Sequence, residues 1–246
     1  MRNIKVTIAY DGSRYNGWQR QENTDNTIQG KLEQLLSRMT GEDIEIHGSG
    51  RTDAGVHAKG QVFHFHTKCR KKLEEMQDYM NEYLPMDLSV EQVEEVDLRF
   101  HSRLNVKRKT YAYHIWNSTK HNVFERKYSY QVAEKLDLEA MREAASYLIG
   151  THDFKSFCSN KRMRKSTVRI LESIEIKQQE NDIWIHYCGN GFLYNMVRIL
   201  TGTLIEVGLG KRDPKEMDEI LEKGNRELAG FTAPAQGLFL EQVDYE

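Results

Sequence analysis

An ionisable carboxylate beside a guanidinium, in a run holding three glycines, marks the segment Gly48-Ser49-Gly50-Arg51-Thr52-Asp53-Ala54-Gly55-Val56-His57-Ala58. Glycine opens backbone angles closed to other residues and lets a ligand come close to the chain. A carboxylate near a cation stays ionised and therefore nucleophilic. Asp53 is thus a candidate nucleophile with Arg51 as its neighbour; the competing reading is a plain connector between two strands. The run is neither a dinucleotide fingerprint nor a P-loop, because no Lys-Ser/Thr follows a GxxxxG frame.

Two further residues could join Asp53. Tyr111 lies in the alternating run Tyr111-Ala112-Tyr113-His114-Ile115, where its ring could stack on a base and its hydroxyl could move a proton. Tyr113 and Ile115 share its face, so a core role remains open. Arg198 sits among Phe192, Leu193, Met196, Ile199 and Leu200 on an apolar helix. A buried arginine calls for a carboxylate partner, and Asp53 is the candidate. His64 and His66 share one strand face, but two ligands do not make a metal site, so no metal is expected. They read as polar-face residues near a ligand. Trp18, Phe154 and Phe157 could stack on bases, though core packing suits them better. Asp11, the other glycine-flanked aspartate, reads as a turn residue.

The elements that must hold these residues follow from periodicity. Strands are expected over 3–10, 43–47, 61–67, 89–98, 109–116, 168–177, 182–188 and 238–243. Helices are expected over 28–39, 71–83 and 138–149. A long apolar helix should run from a cap at Asn190 to about Val207. Asp213-Pro214-Lys215-Glu216 begins another, with a capping carboxylate, a proline and a glutamate in order. Several strand pairs lack an intervening helix, which favours α+β with antiparallel sheet over a doubly wound parallel fold. Two subdomains are expected, 1–105 carrying the aspartate loop and 106–246 carrying the tyrosine strand and the arginine helix.

Bulk composition narrows the partners. The 246 residues are 39% hydrophobic and 29% charged with a net charge of −2, so any polyanion-binding surface must be local. Charge is segregated: nine acidic and no basic residues lie between Glu74 and Asp97, whereas Lys155, Lys161, Arg162, Arg164, Lys165 and Arg169 occupy 155–169 without an acid. A second basic cluster, Arg103, Lys107, Arg108 and Lys109, precedes the tyrosine strand. The three cysteines, Cys69, Cys158 and Cys188, have neither disulfide nor zinc spacing. Met1 leads straight into a strand with no apolar leader, and no run is long enough to cross a membrane. A cytoplasmic protein is expected.

GSGRTDAGVHA resembles the active-site signature of the tRNA pseudouridine synthase A family. The likeness extends along the chain: AYDGSRYNGWQRQ with TIQGKLE resembles the family's opening, KRKTYAYHI its tyrosine strand and GTHDFKSFC its middle segment. GNGFLYNMVRILTGTLIEVGLGK resembles its carboxy-terminal helix, and APAQGLFLEQVDY its closing strand. Arg14, Asn16 and Ser102 depart from the usual pattern. The resemblance implies two α/β subdomains whose antiparallel sheets join across a central active-site cleft, the pseudouridine synthase fold. It implies a homodimer acting on tRNA, isomerising uridines on the 3′ side of the anticodon stem-loop with no cofactor or metal. Asp53 then corresponds to the catalytic aspartate, Tyr111 to the active-site tyrosine, Arg198 to the basic partner of the aspartate, and Arg51 to the residue that fills the gap left by a flipped nucleotide. Lys161, Arg162 and Arg164 are candidate tRNA contacts. An RNA-binding module without catalysis would lack the aspartate, and a nucleoside hydrolase or glycosidase would need a second carboxylate or a metal.

Overall fold

A computed structural model describes residues 1–160, 163 and 165–245. In chain order the elements are β1 (Arg2–Tyr10), α1 (Ile28–Thr40), β2 (His47–Gly48), β3 (His57–Thr67), α2 (Leu73–Tyr83), β4 (Leu88–Val96), β5 (Arg108–Asn117) and β6 (Tyr130–Val132). They continue with α3 (Leu138–Tyr147), β7 (Gly150–Asp153), β8 (Val168–Gln179), β9 (Asp182–Gly189), α4 (Met196–Gly208), α5 (Glu216–Lys223) and β10 (Leu238–Asp244). The chain divides into two compact units, Met1–Lys107 with Phe239–Glu246, and Arg108–Leu238. The closing strand therefore groups with the first unit and not with the half that precedes it. The class is α+β, as the unbroken strand pairs require.

In the first unit β1 pairs antiparallel with both β3 and β4, and β10 joins β3 in parallel, placing Phe239 opposite His57. Side chains alternate along a strand, so Ile4, Val6 and Ile8 all point inward, as do Phe63 and Phe65 across the ladder. Helix α1 starts where the Thr27 hydroxyl accepts the Gly30 amide and stops at Gly41, whose φ of 72° is left-handed. Its stripe Ile28, Leu32, Leu35, Leu36 and Met39 is buried. The strand expected over 43–47 shrinks to His47–Gly48. The reason is local: the Ile44 amide donates to the Ser37 hydroxyl and the Ile46 amide to the Glu33 carboxylate, so α1 side chains take the bonds a ladder would need.

The second unit is an antiparallel sheet in the order β5, β9, β8, β7, with β6 added in parallel to β5. Tyr111 pairs with Tyr187, Tyr113 with Ile185 and Ile115 with Ile183. Helix α4 is buried along most of its length, and the Tyr187 hydroxyl meets Thr201 Oγ1 at 2.9 Å, tying strand to helix. Gly202 is required there, because a Cβ would lie 1.9 Å from the Phe231 carbonyl oxygen. Asn190 does not cap this helix. It bonds the Ile170 backbone in both directions, prolonging the sheet contact, and α4 begins only at Met196. Before α5 the expected reciprocal cap is present, Asp213 Oδ1 accepting from the Lys215 amide and Glu216 Oε1 from the Asp213 amide. The intervening turn delays the helix proper to Glu216.

His64 is not a polar-face residue. Residues around Ser102 cover it, leaving 1% exposed, while His66 stays exposed. His64 Nδ1 accepts from the Ser102 amide and meets its hydroxyl at 3.0 Å. His47 and His101 rings lie 5.1 and 4.7 Å away, centroid to centroid. Burial first, and then the neighbouring His101, His47 and His66, push the His64 imidazole down to about 4. A proton that the unfolded chain accepts and the folded chain refuses makes stability fall with acid. The contribution from His64 is fully present above about pH 6.5 and is lost as pH falls toward about 4. Denaturant midpoints measured across that interval should decline, and His64→Gln should decline less; an equal decline in both proteins would refute the assignment.

Candidate active site

In the first unit the aspartate loop has no regular structure between Ser49 and Val56, yet its backbone is held at Ser49, Gly50, Thr52, Asp53 and Val56. The Ser49 amide donates to the Val62 carbonyl at 2.7 Å, and its hydroxyl donates to Gln61 Oε1 at 2.6 Å. Gln61 Nε2 returns a bond to the Gly50 carbonyl. Further on, the Thr52 carbonyl accepts the Trp18 amide at 3.0 Å, and Thr52 Oγ1 meets the Tyr10 hydroxyl at 2.8 Å. The Asp53 carbonyl accepts the Val56 amide, closing a turn through Gly55 at φ 79°. Asp53 is half-buried and Arg51 exposed.

The opening segment acts as the floor of this loop. Gly12 and Gly17 pack against it so closely that a Cβ on Gly12 would meet the Val56 carbonyl oxygen at 1.9 Å, and one on Gly17 the Thr52 carbonyl oxygen at 2.8 Å. Asp11 is the turn residue expected, its carboxylate accepting the Ser13 amide. Arg14 reaches Asp87 at 2.9 Å. Trp18 is buried between Tyr10 and Phe63, and Phe154 and Phe157 are buried in the second unit, so all three serve the core. Tyr10, Thr52 and Gln61, which join this network, are not singled out by motif or spacing in the sequence. The available signal was Tyr10 at the inward-facing end of an alternating strand, a buried hydroxyl in need of a partner.

In the second unit Tyr111 is buried on β5 with its ring edge-on to Phe192 at 5.1 Å. Tyr113, on the same face, is committed to structure: its hydroxyl donates to the Pro234 carbonyl, and burial holds it protonated despite the nearby Arg198 charge. Arg198 is half-buried on the first turn of α4. Its Nε donates to the Ala233 carbonyl at 2.7 Å and its Nη1 to Asn195 Oδ1 at 3.0 Å. Asn195 holds a left-handed φ of 61°, which asparagine tolerates better than most residues, and its Nδ2 reaches Ser159. This one residue ends the preceding loop and aims the arginine.

Lys161, Arg162 and Arg164 lie outside the described residues. Lys155 and Lys165 line a cavity of about 570 Å³ that also takes in Arg226 and Asp153. Among the described residues no group of three or more His, Cys, Asp or Glu side chains is placed to hold a metal ion.

The loop around Asp53 and the first turn of α4 around Arg198 are thus each held by hydrogen bonds within their own unit. The sequence profile of the tRNA pseudouridine synthase family matches residues 6–105 and 144–246. A Bacillus cereus (strain ZK / E33L) protein named tRNA pseudouridine synthase A 2 is 49% identical over 245 residues, and tRNA pseudouridine synthase A of Bacillus sp. (strain KSM-64) is 50% identical over 245 residues. A Clostridium tetani (strain Massachusetts / E88) protein named tRNA pseudouridine synthase A 1 is 48% identical over 245 residues, and all three comparisons cover 100% of both chains. This chain belongs to the tRNA pseudouridine synthase family, a family of isomerases. A chain from the crystal structure of a Cbf5-Nop10-Gar1 complex overlaps 82% of this chain and 45% of its own at TM-score 0.40 and 9% identity, too slight a likeness to add to that assignment.

The packing of Gly17 generates a direct test. Its φ of 88° and the 2.8 Å at which an added Cβ would meet the Thr52 carbonyl oxygen mean that Gly17→Ala meets backbone strain and a clash together, costing roughly 1–2 kcal/mol from the left-handed angle alone. A lower unfolding midpoint with reduced turnover is expected, and wild-type values for both would refute the close packing.

Proposed function

We propose that this protein isomerises uridine to pseudouridine on the 3′ side of the tRNA anticodon stem-loop, with Asp53 as the nucleophile. The observation that carries the reading is an aspartate on a backbone-braced loop, within the signature GSGRTDAGVHA of a chain that belongs to this family. Isomerisation breaks the bond from N1 of uracil to the ribose and forms one from C5; C5 gives up a proton and N1 gains one. A carboxylate adding to sugar or base holds the fragments while the base turns. No redox change or hydrolysis occurs in that sequence, so the reaction is proposed to need neither cofactor nor metal.

The remaining residues take their roles from this chemistry. Tyr111 stacks on the uracil through its ring and moves the C5 proton through its hydroxyl. Arg198, aimed by Asn195 and the Ala233 carbonyl, supplies the positive charge that the chemistry requires. A paired base is out of reach, and extruding it costs roughly a few kcal/mol. Arg51 is exposed beside Asp53 and fills the gap, its planar guanidinium suited to stacking and phosphate contact alike. Lys161, Arg162 and Arg164 bind tRNA phosphates. The protein acts as a homodimer in the cytoplasm. No helix among the described residues is long and apolar enough to cross a membrane.

Two substitutions separate the roles. Asp53→Asn preserves shape but not nucleophilicity, so pseudouridine formation should vanish while tRNA affinity stays within a few-fold, most affinity residing in phosphate contacts. Tyr111→Phe keeps the ring and should bind tRNA normally yet turn over at least about a hundredfold slower, the usual scale for losing a general acid or base. Single-turnover rates and filter binding measure both. Residual turnover by Asp53→Asn would sink the nucleophile assignment, and a wild-type rate for Tyr111→Phe would reduce that residue to a stacking surface.

A further inference from the structure

Within the first unit, Tyr10 and Thr52 stand out as a buried polar pair with no assigned task. Tyr10 ends β1 and is 5% exposed, and Thr52 precedes Asp53 and is equally buried. Their oxygens are 2.8 Å apart. The Gln61 amide, which also adjoins the Tyr10 hydroxyl, binds Ser49 and Gly50 at the other end of the loop. Both halves of the loop are thereby wired to one buried network on β1 and β3. Burial raises the ionisation of Tyr10 far above the ordinary tyrosine value, so the hydroxyl remains a donor at all working pH.

A hydroxyl is an expensive group to bury. Packing alone would be served as well by phenylalanine and valine, with no buried donor to satisfy. What the hydrogen bond adds is direction. The Trp18 amide fixes the Thr52 carbonyl from one side, and Tyr10 fixes its side chain from another, so the residue before Asp53 can neither slide nor rotate. Catalytic groups need placement within about 0.5 Å of the productive geometry, which loops achieve only through such supporting bonds.

We infer that Tyr10 and Thr52 are positioning residues for the reaction, their hydrogen bond setting the backbone from which the Asp53 carboxylate is presented. This rests on Asp53 being the nucleophile. The pair touches no substrate, so it should govern the chemical step and leave tRNA binding alone.

The test is a double-mutant cycle on the full-length protein with Tyr10→Phe, Thr52→Val and the double variant, plus Thr52→Ser as the conservative replacement and Asp53→Asn as the reference. Single-turnover rate at saturating enzyme, tRNA affinity and unfolding midpoint are measured for each. Tyr10→Phe and Thr52→Val should each slow the chemical step about tenfold with affinity within about twofold, and the double variant should be no slower than either single, as expected of groups acting as a unit. Thr52→Ser should recover most of the rate. Wild-type rates in Tyr10→Phe and Thr52→Val, fully additive losses, or affinity falling in step with rate would each overturn the inference. Should Tyr10→Phe fail to fold, the Thr52→Val and Thr52→Ser comparison decides it alone. An inactive Asp53→Asn beside a wild-type Tyr10→Phe rejects only the positioning role, whereas an active Asp53→Asn rejects the nucleophile and the positioning role together.

Discussion

Asp53, the proposed nucleophile, would have to be both exposed to its substrate and fixed in space, and these demands conflict on a segment with no helix or strand to hold it. Here the conflict is met by backbone bonds. Thr52 is pinned through its carbonyl by Trp18 and through its hydroxyl by Tyr10, and Ser49 and Gly50 are pinned through Gln61 and Val62. Much of the first unit follows from that constraint. Strand β1 must end at a tyrosine, the next turn must carry glycines at 12 and 17, and Trp18 must be buried to bring its amide to the loop. A side chain on either glycine would push the floor away from the loop it supports.

The second unit solves a similar problem with a cation. An arginine on a buried helix could turn to several partners, and its fork of donors favours whichever carbonyl or carboxylate is nearest. Asn195, in a left-handed conformation one turn earlier, and the Ala233 carbonyl together take two donors and fix the plane of Arg198. These two bonds orient the guanidinium. Tyr113, beside it, is tied to Pro234. On one strand face, therefore, one tyrosine is structural and its neighbour Tyr111 is proposed to be catalytic.

Much of this was legible in the residues. The period of two marked β1, β5, β8 and β9, the 3.6 spacing marked α1 and α3, and the glycine-rich run stood out by composition alone. What escaped was set by side chains from elsewhere in the fold. Residues 43–46 alternate like a strand, but the Ile44 and Ile46 amides go to Ser37 and Glu33 of α1. Asn190 looks like a helix cap but belongs to the sheet contact with Ile170, and the real start depends on the backbone angle of Asn195. His64 looks exposed by alternation until Ser102 closes over it. Tyr10 and Thr52 are 42 positions apart, and nothing local in either segment announces that they meet. Long-range polar pairs of this kind are specified by the fold and not by any window of sequence.

The central claim concerns what happens to the uridine. Purified tRNA incubated with the protein, digested, tagged at pseudouridine and mapped by mass spectrometry addresses it directly. The predicted result is pseudouridine on the 3′ side of the anticodon stem-loop with no free uracil, lost when Asp53 becomes Asn. Release of free uracil would mean that the glycosidic bond is broken and not remade, and modification that persists in Asp53→Asn would mean that the nucleophile lies elsewhere; either result would contradict the account.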